Sequence, residues 1–222
     1  MNIVKETVVV LPTYNQAPYL DRCIRSLLAQ SQYTDYEIIC INDGSTDETT
    51  SILEKYSKQI TILENTINCG LPFSINRVIK ESSSRFIVRV DSDDYVSRHF
   101  LRILTLALQL NNELDAVACD YEVFDSKGTI SISNIEKSPI ACGIMFRRDH
   151  LWEVGLYDET FKIHEDKELM TRFEKKYKVT RIPIPLYRYR KHNNNLTNDI
   201  AAGGEYLKRL KTSAEIVDRN EK

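Results

Sequence analysis

Short runs in which nearly every position is apolar alternate with longer stretches whose apolar residues recur every three or four positions. TVVVLP (Thr7 to Pro12) is followed by YLDRCIRSLLAQ, where Leu20, Cys23, Ile24, Leu27 and Leu28 share one helical face. YEIICIN (Tyr36 to Asn42) leads through Asp43-Gly44 to a helix opened by Ser45-x-x-Glu48, a capping-box pattern. ITILEN precedes Gly70-Leu71-Pro72 and a helix carrying Ile75, Val78 and Ile79, with proline in the first turn, where its missing N–H is not needed. FIVRV precedes the strongly apolar helix HFLRILTLALQL. Nearly continuous apolar strands that alternate with helices predict a mostly parallel sheet covered on both faces.

After Asp115 the pattern changes to DAVACDYEVFD, TISIS and IACGIMF, strands with no helix between them until HLWEVG and DKELMTRFEKKY. These predict a mixed or antiparallel extension of the same sheet. Pro183 and Pro185 in IPIPLYRYR predict an edge strand or an extended loop, since proline cannot donate to a ladder. GGEYLKRLKTSAEIV predicts a docked amphipathic terminal helix, with Tyr206, Leu207, Leu210, Ala214 and Val217 on one face. The expectation is one α/β domain over residues 1–222, its first half ending near residue 115.

Composition narrows the classes. The 222 residues carry 30 basic and 32 acidic side chains, a net charge of −2, so no global field draws the chain to nucleic acid. The five cysteines are odd in number and form no C-x-x-C, which signals neither a disulfide framework nor a structural zinc site. No apolar stretch approaches the roughly twenty residues that cross a bilayer. The expected compartment is the reducing cytosol.

In a buried parallel sheet, ligands bind beyond the carboxyl ends of the strands. Here those ends carry Thr13-Tyr14-Asn15, Asp43-Gly44-Ser45, Asn68-Cys69-Gly70 and Asp91-Ser92-Asp93-Asp94, four polar clusters able to share one rim. Neither G-x-G-x-x-G nor G-x-x-x-x-G-K-[ST] is present, so phosphate is not held by those loops. Three carboxylates within four positions repel one another, and a hard divalent cation arriving with a nucleotide would relieve them. The same residues also suit a solvated Asx-type turn, and both readings stand. An EF-hand is disfavoured, because Val96 and Arg102 occupy its glycine and glutamate positions. Glu165 and Asp166 begin a helical pattern, where a carboxylate either favours the helix N-terminus or serves as a general base.

Taken in order, PTYN, Gln30, NDGSTDET, NCGL with Asn76, VDSDDYV and HEDKELMTR resemble the family 2 nucleotide-sugar glycosyltransferases of GT-A fold. The resemblance runs almost continuously over residues 7–100 and weakens over 140–192. It implies an inverting transfer from a nucleoside diphosphate sugar to an acceptor hydroxyl, with Mn²⁺ or Mg²⁺ as cofactor and a carbohydrate or lipid-linked glycan as acceptor, in surface-glycan synthesis. It implies a donor half to residue 115 and an acceptor half beyond. It implies nucleotide contacts from Pro12, Thr13, Tyr14, Asn15, Asp43, Asn68, Gly70, Asn76, Asp91, Ser92 and Asp93, with Asp43 on a uracil-like base. Asp93, Asp94 and His192 would hold the metal, and Asp166 would be the base, supported by Glu165.

Two departures matter. Asn42 stands where the family often has Asp, and Ile75 where many members have an Arg ahead of Asn76; if that Arg helps hold phosphate, Arg77 or Arg89 must substitute or the metal must carry more of the load. Residues 172–192 hold eight Lys or Arg and one acid, Glu174, which reads as a solvated basic face or as peripheral contact with anionic lipid at the inner membrane face. A sugar nucleotidyltransferase would show a Gly-rich basic loop after the first strand, which LPTYNQ lacks. A catalytically silent sugar-nucleotide-binding protein is the rival from another class, and retention of Asp43, the acidic cluster and Asp166 argues against it.

Overall fold

The first apolar run is β1 (Thr7–Thr13), and all seven of its residues are buried. In a computed structural model that describes residues 4–31, 33–124 and 130–192, β1 lies between two parallel neighbours, β2 (Tyr36–Asp43) and β4 (Phe86–Arg89). Next to β2 runs β3 (Thr61–Asn65), also parallel. The helices α1 (Ala17–Leu28), α2 (Thr49–Glu54) and α3 (Leu71–Glu81) return the chain between these strands, and α4 (Phe100–Leu110) follows a two-residue strand, β5 (Tyr95–Val96).

The second half adds β6 (Ala116–Phe124), β7 (Ile130–Ser133), β8 (Ile144–Arg147), α5 (Arg148–Glu153), α6 (Glu165–Phe173) and β9 (Val179–Arg190). The sheet order is β3-β2-β1-β4-β8-β6-β9-β5, with β7 paired to β6. β8 is antiparallel to β4 and β6, which makes the extension mixed as the pattern predicts. Alternation along β1 divides the core in two: Val9 and Leu11 pack with Leu20, Ile24 and Phe100 on one face, and Val8 and Val10 with Ile75, Ile79, Leu169 and Phe173 on the other.

Three expectations need correction or limits. The capping box does not form: α2 starts at Thr49 without a side-chain cap from Glu48, and Ser45 Oγ instead accepts from the Asn15 N–H across the rim. The double-proline segment is a twelve-residue strand, β9, paired along β6 and, near its end, also with β5. Its prolines fall where the register breaks: Cys119 faces Ile182, Asp120 faces Pro185 and Tyr121 faces Tyr187. A bulge removes the need for the ladder donors that proline lacks. The expected tail helix over 203–217 lies outside the described residues, as does part of the loop at 125–140.

Candidate active site

Hydrogen bonds between loops build the rim. Asn15, in left-handed conformation at φ 52°, accepts from the Thr46 N–H through Oδ1 at 2.8 Å, while Asp47 accepts from the Ala17 and Thr49 N–H groups. The loops after β1 and β2 are thus one unit. Asp43, 4% exposed, accepts at Oδ1 from Asn65 Nδ2 (2.7 Å) and the Cys69 N–H (2.9 Å), and at Oδ2 from the Gly70 N–H (2.9 Å). Gly70 needs its glycine, because its φ is 95° where the chain enters α3. Asp43 therefore braces the third cluster, and of roughly four acceptor sites on a carboxylate about one remains. Tyr14 and Asn68 are exposed, whereas Pro12, Thr13 and Ser92 are buried.

Asn76 is placed differently from expectation. Its amide donates to the Tyr157 carbonyl and to Glu159 and accepts from the Tyr157 N–H, all while 3% exposed. Its polar atoms clasp α3 to the 157–159 turn. Of the two arginines, Arg77 donates to Glu81, Asn65 and the Glu64 carbonyl, and Arg89 is buried between two acids.

At the end of β4, Arg89 donates through Nε and Nη2 to Asp91 (2.6 and 3.2 Å) and through Nη1 to Glu165 (3.0 Å). Burial opposes its charge, but Asp91 and Glu165 outweigh that and push its pKa well above the ordinary arginine value. Burial pushes Glu165 upward while Arg89 pulls it down; at this distance from a guanidinium that Asp91 also holds, the ion-paired form is the one the geometry supports. Part of the positive charge demanded by the acidic cluster therefore comes from the protein.

The end of β9 closes over the remaining acids. Tyr187 Oη donates to Asp94 Oδ2 (2.7 Å) and accepts from the Asp91 N–H, and the Arg190 N–H donates to Asp94 Oδ1 (2.7 Å). His192 Nε2 lies 2.8 Å from Asp93 Oδ2, with its ring stacked on Tyr19. Asp93 is raised by burial and then by the Asp91 charge, with His192 opposing; Asp94 is raised well above the usual carboxylate range by burial and by both neighbouring acids. Burial and mutual repulsion thus both disfavour charge on these two acids.

The donor set fits a divalent ion, though not in every position expected. Ligand atoms of Asp91, Asp94 and Cys142 lie within 4.8 Å of one another, but Cys142 is a buried thiol pushed well up by burial, and Arg89 already holds Asp91. Asp94 is 2% exposed and anchors β9 with both oxygens. Asp93 and His192 are hydrogen-bonded to each other at 2.8 Å, and an ion held by both would replace that bond.

Asp166 is half-buried in the first turn of α6, directly after Glu165. It lines a cavity of about 270 Å³ with Ile140, Ile144, Tyr157 and Met170, open for an acceptor to approach. Sequence reasoning missed Tyr187 and Cys142 and gave Arg89 another task; a lone arginine inside a four-residue apolar run was the one available signal. Within the basic stretch, Arg172, Lys176, Arg181 and Arg188 pair with Glu168, Glu153, Asp120 and Glu122. Among the described residues, no helix is long and apolar enough to cross a membrane.

Comparison with known proteins follows the same outline. The family model for glycosyl transferase family 2 matches residues 8–164. The uncharacterized glycosyltransferase EpsJ of Bacillus subtilis (strain 168) is 29% identical over 216 residues, covering 85% of this chain and 62% of its own length. The poly(ribitol-phosphate) beta-glucosyltransferase of Bacillus spizizenii is 39% identical over 98 residues, 42% of this chain and 16% of that protein. The chain thus spans less than two thirds of these relatives. Staphylococcus aureus TarS 1-349 in complex with UDP-GlcNAc superposes with a TM-score of 0.76 at 20% identity, covering 87% of this chain and 61% of that one. The mannosyltransferase PcManGT of Pyrobaculum calidifontis, in complex with GDP-Man and Mn²⁺, gives 0.69 at 18% identity, over 87% of this chain and 59% of that one. The shared arrangement is the GT-A fold.

Proposed function

The chain belongs to glycosyl transferase family 2, and on that premise we propose that it transfers a sugar, with inversion, from a UDP-sugar to an acceptor hydroxyl on a carbohydrate or lipid-linked glycan in surface-glycan synthesis. The observation that carries this reading is the meeting of two acidic sites from distant parts of the chain: Arg89 contacts both Asp91 at the end of β4 and Glu165, the neighbour of Asp166. UDP is favoured because a structural neighbour binds UDP-GlcNAc.

In this reading residues to about 115 bind the donor and those beyond it the acceptor, within one domain. Tyr14, Asn15, Asn68 and the last acceptor site of Asp43 face the nucleoside, and Asp91 the ribose. Asp93 and His192 would hold Mn²⁺ or Mg²⁺, which when bound neutralises charge on the departing diphosphate. Asp166 takes the proton of the acceptor hydroxyl. The freed oxygen bonds to the anomeric carbon from the face opposite the diphosphate, and the breaking carbon–oxygen bond leaves its electron pair on the diphosphate. One displacement inverts the centre and needs no covalent nucleophile.

A thermal-shift panel of UDP, GDP, UDP-glucose and UDP-GlcNAc, each with Mn²⁺ or EDTA, tests the donor assignment. Uridine ligands are expected to raise the Tm with Mn²⁺, since a ligand selective for the native state stabilises it. No shift with any nucleotide under either condition would overturn the reading.

A further inference from the structure

We propose that Arg89 is a positioning residue that links the donor-binding strand end to the helix carrying the base, so that donor and base are held in register by one guanidinium. The inference rests on the reading of Asp166 as that base.

The geometry is specific to arginine. Three of its five N–H donors are directed at two carboxylates, Asp91 through Nε and Nη2 and, 76 residues beyond Arg89 itself, Glu165 through Nη1. A lysine ammonium is a single point charge and cannot present that planar fork to both partners. Arg89 is 7% exposed and Glu165 6%, so that half of the link is nearly dry, while Asp91 is partly exposed. Burying an ion pair is a poor means of gaining stability, since well-packed apolar residues do as well or better; a specifying role is the alternative that the geometry favours here.

Elsewhere in the first turn of α6, Glu168 is held by Arg172, which reaches the Val154 and Leu156 carbonyls rather than the sheet. His164, the N-cap residue of α6, sits in the left-handed region at φ 63° and makes no side-chain capping bond. Glu165 is the first helical residue, and its ion pair with Arg89 sets how the turn meets the sheet. Asp166 follows directly and faces the acceptor cavity. At the other end, Asp91 belongs to the acidic strand end. A displacement of the helix turn by about 1 Å would move the base out of line with the acceptor proton, a misplacement that typically lowers rate by about a hundredfold.

The test measures kcat, donor KM and UDP affinity for wild type, Arg89→Lys, Glu165→Gln and Asp166→Asn, with UDP-GlcNAc and Mn²⁺ and UDP release as the readout. Calorimetric UDP binding and fraction folded are measured on the same samples. Arg89→Lys is expected to lower kcat by about a hundredfold and also to raise donor KM and weaken UDP affinity through Asp91, whereas Glu165→Gln lowers kcat by less with unchanged KM and UDP affinity. The double variant should fall short of the product of the two losses, because both cut one link. Wild-type kcat in folded Arg89→Lys or Glu165→Gln would overturn the proposal while leaving Asp166 as the base. Should Arg89→Lys not fold, the near-isosteric Glu165→Gln decides alone. Wild-type turnover in Asp166→Asn would overturn the base assignment, and the link with it.

Discussion

Two strands of one parallel sheet end in carboxylates, and their surroundings differ. At the end of β2, Asp43 is buried, and three N–H donors converge on it, two of them backbone amides of the loop it shapes. At the end of β4, the described partners of three acids include the Arg89 guanidinium, the His192 imidazole, the Tyr187 hydroxyl, the Cys142 thiol and the Arg190 N–H, and burial still drives Asp93 and Asp94 upward. The difference separates a carboxylate that holds a loop from carboxylates that crowd and repel one another. In the proposed function the second kind is where a cation would bind, and D-x-D spacing alone does not distinguish the two.

Substitutions should separate the two ends. Asp43→Asn keeps one oxygen but turns an NH₂ toward at least one of the three donors; at ~1–3 kcal/mol for each buried donor left unmatched, plus the lost charge, a loss of about 3 kcal/mol is expected by chemical denaturation. A wild-type midpoint would break the loop-holding side of the contrast. Tyr187→Phe removes the hydroxyl between Asp94 and the Asp91 N–H, with an expected loss of about 2 kcal/mol in the same assay. Asn15→Ala forfeits the bond to the Thr46 N–H and the tolerance of asparagine for positive φ, for about 1 kcal/mol, and Asn15→Gly should recover part of it. Asp93→Asn should change stability least in EDTA, by less than about 1 kcal/mol, because it removes a charge from a crowded site. Its mark should be loss of the extra stabilisation that Mn²⁺ gives wild type; equal stabilisation of both proteins would remove Asp93 from the metal site.

The same contrast explains what could be read in advance. β1 to β4, α1, α3 and α4 follow from local periodicity, and the residue-by-residue hydrophobic alternation of β1 assigns each side chain to its core. The sharing of one rim by the loops after β1 and β2 also followed, from the rule that strand ends converge. The rest depends on partners far away in sequence. The Asn76 amide is occupied by a turn 81 residues later, and Asp94 by a strand 93 to 96 residues later; no local pattern announces either. Pro183 and Pro185 spoke against a paired strand, because a bulge is a two-strand property that one segment does not display. At Ser45 local chemistry misled: its hydroxyl had a cross-loop partner, Asn15, as well as the cap geometry it suggested.

The central claim is that the β4 end needs a cation before it accepts a diphosphate. Calorimetric titration of UDP into wild type and Asp93→Asn, each with Mn²⁺ and with EDTA, tests it most directly. Binding is expected only for wild type with Mn²⁺. UDP bound as tightly in EDTA as in Mn²⁺, or by Asp93→Asn as by wild type, would contradict it.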